Sequence, residues 1–236
     1  MAMLPQPPPD AAPPPPSETV LRSRRQWWWI WVTGAISMLL VSIWLTRPIV
    51  IRSHKNRDFT EAVSNARQIG LALFEFETEY GRYPDVTTLR AVQDKTGTRL
   101  PLGTKTSNDY FRQLIATGTT TSEPIFYAKI RGSRKPDGRM DPAQALSKGE
   151  VGFAYLAGLS SDGPPSRPLI VSPLVPGTDR FDPKPFDGMA VILRVDCSVT
   201  RHPIQKDGRV LVNGRNILDL KDPIWGGKPP LIAWPE

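Results

Sequence analysis

One cysteine, Cys197, and two histidines, His54 and His202, are all that 236 residues offer of the side chains that most often build disulfides, transition-metal centres and nucleophile–base pairs. A single cysteine excludes an internal disulfide, so the fold must be held by its core. Neither histidine has a Cys, His or carboxylate at metal-ligand spacing, which excludes an ordinary zinc site. No glycine-rich phosphate loop opens a helix, and no Gly-x-Ser-x-Gly elbow is present. A reactive Cys197 would need His202 brought beside it, and an ordinary buried or turn cysteine is the simpler reading. The chain therefore reads as non-enzymatic and without a cofactor.

A basic stripe is also lacking. The formal charge is +7, but through Asp58 seven Lys or Arg stand against Asp10, Glu18 and Asp58, so +4 of it belongs to the N-terminal quarter. The remaining +3 is scattered, and nucleic acid is not an expected partner. Charge is absent altogether from residues 27–46, WWWIWVTGAISMLLVSIWLT. About 20 apolar residues are what a helix needs to cross a hydrocarbon core of roughly 30 Å. The run exceeds a signal-peptide core, and no small-x-small cleavage site follows it. Trp27, Trp28, Trp29 and Trp31 crowd one end and Trp44 marks the other, as indoles do at the headgroup level. Residues 27–46 are thus expected to be a membrane anchor in contact with lipid. Residues 1–26 form a proline-rich, disordered tail, and 47–58 a juxtamembrane segment interrupted at Pro48.

From Asp58, read as an N-cap, a helical period begins. Phe59, Val63, Ala66, Ile69, Leu73, Phe76 and Tyr80 recur at three- and four-residue steps, with Leu71 and Phe74 widening the stripe and Gly81 and Pro84 as stop signals. A stripe this wide packs on a globular body. Two short helices follow. One is capped by Asp85 or Thr87 and ends near Gly97; the other begins after Asn108 and ends at Gly118. IFYAKI reads as extended, and 143–148 as a single helical turn. VGFAYLAG, PLIVSPL, GMAVILRV and SVTRHPI read as antiparallel strands, the last two joined by a hairpin across Asp196 and Cys197. VLVNGRNIL adds a smaller pairing around Asn213 and Gly214. The C-terminal stretch is too rich in Pro and Gly for regular structure and is pinned by Trp225 and Trp234. The expected class is α+β: a transmembrane helix and a long amphipathic helix packed on an antiparallel sheet of three to five strands, with residues 59–236 as one domain ending in an extended tail.

Two acidic groups invite chemistry. Asp179, Asp182 and Asp187 lie in one irregular loop, and carboxylates there are what Ca²⁺ uses. Arg180, Lys184 and the adjacent Pro and Gly residues make a turn-rich loop the plainer reading, with calcium the one metal the loop suits. Glu75 and Glu79 share a helix face and read, with Glu77, as its solvated side, partly balanced by Arg82. Arg131, Arg134, Lys135 and Arg139 read as a solvated loop.

Asn65, Arg67, Gln68, Ile69, Gly70, Ala72, Tyr80, Gly81, Tyr83 and Pro84 follow the Asn-x-(Lys/Arg)-Gln-Ile-Gly-x-Ala and Tyr-Gly-x-(Phe/Tyr)-Pro pattern, and MAVILRVDCSV echoes a late strand and turn. In these residues the chain resembles the type IV pilins and type II secretion pseudopilins, most closely over residues 62–85. Cys197 stands where glycine is expected, so the turn is expected to differ. The peptidase-site glycine is missing before Gln26, and Trp31 takes the place of the usual glutamate, so trimming and polymerisation into a pilus are not expected. The resemblance implies a single-pass protein of the bacterial inner membrane with the tail cytoplasmic and the domain periplasmic. It implies a structural or adaptor part of a type II secretion or pilus-like assembly, partnered by other pilin-like or secretion-system subunits or by copies of itself through Phe59, Val63, Ala66 and Ile69. The alternative is a membrane-tethered periplasmic binding module whose loops 131–142 and 176–188 hold a soluble ligand or envelope polymer.

Overall fold

The computed structural model describes the backbone of residues 18–236 and the side chains of 27–44 and 54–236. Most of the expected proline-rich tail lies outside these residues. The chain divides into two compact units, residues 1–51 and Arg52–Glu236. One helix assignment, α1 (Glu18–Tyr80), contributes to both. Residues 18–26, expected to be disordered, are helical, as befits a proline-free stretch of good helix formers. The assignment also passes through Pro48 and Asp58 without a break. Proline's fixed φ is itself a helical value, so its cost is a lost hydrogen bond rather than a forced stop. Asp58 is therefore no cap, and its carboxylate instead accepts the ammonium of Lys129 at 3.0 Å. The helix does end at Gly81, which turns left-handed at φ 77° and donates its N–H to the carbonyl of Glu77.

In the second unit α1 lies on an all-antiparallel, five-stranded sheet. The strands are β1 (Ala154–Ala157), β2 (Pro168–Ser172), β3 (Met189–Arg194), β4 (Val199–Pro203) and β7 (Leu231–Ala233), in the order β4-β3-β2-β1-β7. A separate hairpin is built from β5 (Leu211–Val212) and β6 (Arg215–Asn216). Its two-residue turn needs two left-handed positions, which Asn213 (φ 51°) and Gly214 (φ 77°) supply. β7 is the strand the sequence conceals. Its three residues stand between Pro230 and Pro235, and an edge position tolerates such neighbours because one side of the strand needs no ladder partner. The C-terminus is consequently tied down: Ser107 N–H donates to the Trp234 carbonyl, and Glu236 N–H to Asn108 Oδ1.

Phe59, Ala66, Ile69, Leu73 and Phe76 are buried against this body, with Val63 and Tyr80 half-buried. Leu71 and Phe74 do not widen the stripe. They point to solvent, and Ala62, Asn65, Gly70, Ala72 and Glu77 take the inner positions. Small residues let the helix approach closely: a Cβ built on Gly70 would stand 3.0 Å from Leu193 Cδ1. Asn65 Nδ2 donates to the carbonyls of Pro124 and Tyr127, at 3.1 and 2.8 Å. Those carbonyls belong to the Glu123–Phe126 3-10 turn and its exit, where IFYAKI had been expected to extend. The Gly-Arg-Tyr-Pro turn is pinned from the sheet side, with Tyr155 OH donating to the Pro84 carbonyl at 2.8 Å and Tyr83 OH to the Val195 carbonyl at 3.3 Å.

The short helices are α2 (Thr88–Thr96) and α3 (Ser107–Ala116). Asp85 Oδ1 accepts the N–H groups of Thr87 and Thr88 ahead of α2. α3 begins at Ser107, ahead of Asn108 rather than after it, and its cap is Thr106: Thr106 and Asp109 form a reciprocal capping box, and Asn108 is buried, donating to the Leu146 carbonyl. Phe111 stacks on Phe126 with centroids 4.9 Å apart and meets Tyr155 at 5.6 Å, which joins α3, the 3-10 turn and the sheet in one aromatic core.

Candidate functional site

Trp27–Trp44 has a mean hydropathy of 1.4 and none of its residues is buried, so this part of α1 is long and apolar enough to cross a membrane. Trp27, Trp28, Trp29, Trp31 and Trp44 are all exposed along it. The chain is thus compatible with a single-pass membrane protein.

In the second unit, the four residues expected to meet a partner are largely committed to the fold. Ala66 and Ile69 are fully buried, Phe59 packs edge-on against Phe186 at 5.7 Å, and Val63 is half-buried. The helix face turned away from the sheet carries the apolar surface instead, with Leu71 67% and Phe74 56% exposed, one turn apart. Arg67, Gln68, Glu75 and Thr78 around them are exposed as well. By period Leu71 and Phe74 fit the edge of a wide buried stripe, whereas Ala62 and Ala72, small enough to bury anywhere, carry no such signal.

The carboxylates resolve into different roles. Glu75 and Glu79 are exposed, and Lys95, not Arg82, is the partner of Glu79. Arg82 reaches Asp85 at 3.1 Å. Glu77 is buried and accepts the Ser161 N–H at 2.7 Å, so it is not part of a solvated face. Among the described residues Asp179, Asp182 and Asp187 do not converge. Asp179 pairs with Arg180, Asp182 accepts the Lys184 N–H, and Asp187 lies 3.7 Å from Lys55, which leaves turn chemistry rather than a calcium cage. The acidic group the fold does assemble is Glu123, Asp137 and Glu150. Both oxygens of buried Glu123 are taken by backbone N–H groups, from Leu146 and Gly138. Glu150 accepts the Ser147 N–H, and its other oxygen faces Arg134 at 2.9 Å as an ion pair without hydrogen-bond alignment. Burial pushes the Glu150 carboxyl above the usual carboxylate range, partly offset by the Ser147 N–H. These contacts make the group a clasp that holds loop 131–149 on the body.

Cys197 sits at the tip of the β3–β4 hairpin with φ 61° and adopts the left-handed conformation a glycine would take, so the turn keeps its form. Its Sγ faces the Gly70 carbonyl at 3.8 Å, and burial holds the thiol up in its protonated form. His202 is engaged elsewhere, with Arg194 and Thr200. The two do not form a nucleophile–base pair.

A cleft of about 400 Å³ lies between Ile130–Gly132 and the run 173–176, with Arg131 and Asp182 at its lip. It falls between the two loops named above as ligand-holding. Comparison with known proteins finds no match, whether to a family model, a curated protein or a solved structure.

Proposed function

We propose that the protein is a non-enzymatic, pilin-like structural or adaptor subunit of a type II secretion or pilus-like envelope assembly. It is held in the bacterial inner membrane by residues 27–46, with its domain in the periplasm. The observation that carries this reading is the division of labour along α1. One stretch is fit to lie in lipid, and a later stretch buries one face on the sheet while leaving Leu71 and Phe74 outward. The occupant proposed for that outward face is α1 of a second copy. Anchored copies meet in two dimensions, where a modest apolar contact suffices that would be too small in solution. The resemblance over residues 62–85 supports the pilin-like part of this reading. Photo-crosslinking amino acids placed at 71 and 74 in the full chain, in its native membrane, are expected to give covalent dimers. The same group at exposed Lys105 gives none. Monomer alone from positions 71 and 74 overturns the proposal.

A second reading, a tethered periplasmic binding module, is favoured by the cleft between loops 131–142 and 176–188. A Gly132→Trp variant that leaves crosslinking at 71 intact but abolishes recovery of a soluble ligand would select it.

A further inference from the structure

A larger cleft, of about 510 Å³, opens where the paired ends of β2 and β3 meet the β5–β6 hairpin and the 3-10 turn Pro223–Trp225. This volume lies in the range of small-molecule sites, about 300–1,000 Å³. Pro168, Ile217 and Ile224 give it apolar walls, and Ser166, Asn213 and Asn216 bring neutral polar groups. Its cations are Arg194 and Arg215. Arg194 is the unusual one. Its Nε is buried and meets no acceptor, while its Nη2 faces His202 Nε2 at 3.4 Å. Burial and the charge of Arg194 hold the His202 pKa below its ordinary value, so at neutral pH the imidazole is a neutral neighbour and not a counter-ion. Among the described residues no carboxylate stands within ion-pair distance of Arg194, although against the pull of burial the Asp196 carboxyl is held low by hydrogen bonds from Ser198 and then by the charge of Arg194. Arg215 is exposed and stands 3.7 Å from Asp222, whose other oxygen caps the 3-10 turn through the Ile224 N–H at 2.9 Å.

Nε itself is closed to solvent, so a ligand would meet the other nitrogens of the guanidinium; a buried N–H left without an acceptor is rare and marks a charge the protein does not itself neutralise. The planar fork of arginine matches the oxygens of a carboxylate or phosphate, and Arg215 lines the same cleft and can share the charge. We propose that this cleft is a binding site for an oxyanion, a phosphate or carboxylate carried on a small organic body, with Arg194 as its anchor and Arg215 as a secondary contact. The anionic end meets the arginines, and the remainder lies between Ile217 and Ile224. The site is independent of the crosslinking face on α1 and of the cleft between loops 131–142 and 176–188.

The test is calorimetric titration of the full chain in phosphatidylcholine nanodiscs with glycerol 3-phosphate and, separately, with succinate. Saturable binding of at least one probe is expected. Arg194→Gln should weaken it at least tenfold, Arg215→Gln about threefold, and Arg139→Gln, in the exposed 131–142 loop, not at all. Ser166→Phe keeps both charges but fills the cleft from an exposed position, and is expected to abolish binding even if Arg194→Gln proves unstable. Loss of probe binding in nanodiscs containing phosphatidylglycerol would identify a lipid headgroup as the source of the phosphate; retained binding identifies a soluble ligand. No saturable heat with either probe, or wild-type affinity in both Arg194→Gln and Ser166→Phe, overturns the proposal.

Discussion

Asn65 offers the sharpest test of how α1 is held to its domain. It is only 8% exposed, and its single amide nitrogen serves two carbonyls, those of Pro124 and Tyr127. Asn65→Ala removes both hydrogen bonds and leaves the buried Tyr127 carbonyl without a donor, whereas the Pro124 carbonyl still accepts the Tyr127 N–H. A net hydrogen bond is worth about 1 kcal/mol, and an acceptor left unsatisfied raises the loss to about 1–3 kcal/mol. Alanine returns roughly 0.5 kcal/mol through its better helix propensity. The expected loss is therefore about 2–3 kcal/mol, and at about 2–4 °C per kcal/mol for a unit of this size, Tm should fall by about 4–12 °C. Asn65→Asp is the discriminating control: it preserves size but sets an acceptor against two acceptors, so it should be less stable than the alanine variant. Near-ultraviolet circular dichroism of the full chain, followed through thermal unfolding, reads both. An alanine variant melting within about 1 °C of wild type, or an aspartate variant as stable as alanine, would refute the reasoning.

Two glycines should respond in opposite ways to the same methyl group. Gly152→Ala sets its Cβ 2.4 Å from the backbone N and O of Ala128 and should cost about 3 kcal/mol or more, whereas Gly70→Ala meets only the mobile end of Leu193 at 3.0 Å and should change stability by less than about 1 kcal/mol, helix propensity offsetting the crowding; paired denaturant titrations decide it. Cys197→Gly relieves a left-handed residue at φ 61° and should raise Tm by a few degrees, about 1 kcal/mol of relief against the entropy of glycine; a lowered Tm would mean the Sγ contact with Gly70 outweighs the strain. His202 has a folded pKa below 6.5, so the unfolded chain binds the more protons there. Stability should therefore fall as pH is lowered through 6.5 toward the folded pKa, and His202→Gln should flatten that part of the pH profile; an unchanged slope counts against the assignment.

The four strands of the meander were legible because branched and aromatic runs broken by Gly, Pro and Asp leave few alternatives, and the Asn213–Gly214 hairpin because its turn admits few residue pairs. β7 was not, since three residues between prolines have no local signature and become a strand only by pairing with β1. The same holds for the acids. Asp179, Asp182 and Asp187 are close in sequence and separate in their partners, whereas Glu123 and Glu150 are far apart in sequence and meet at one loop. Likewise nothing local marks Arg194 as poorly partnered, because that depends on what β4, β5 and β6 bring alongside it.

Six of the ten residues that carry the resemblance, Asn65, Ile69, Gly70, Ala72, Tyr83 and Pro84, are buried in the domain. Asn65 ties the helix to the 3-10 turn, Gly70 admits Leu193, and the turn at Tyr83 and Pro84 is held by Val195 and Tyr155. Each of these residues is explained by intramolecular packing alone. The likeness therefore speaks to how a long helix seats on a sheet, and it is silent on what the helix meets outside. Any argument for assembly has to rest on residues that the fold does not need, and among the described large apolar residues of α1 in the second unit those are Leu71 and Phe74. Replacing both with serine should leave Tm unchanged while abolishing the crosslinked dimer. A parallel loss of stability would show that the pair serves the fold after all, and would remove the helix face from the case for assembly.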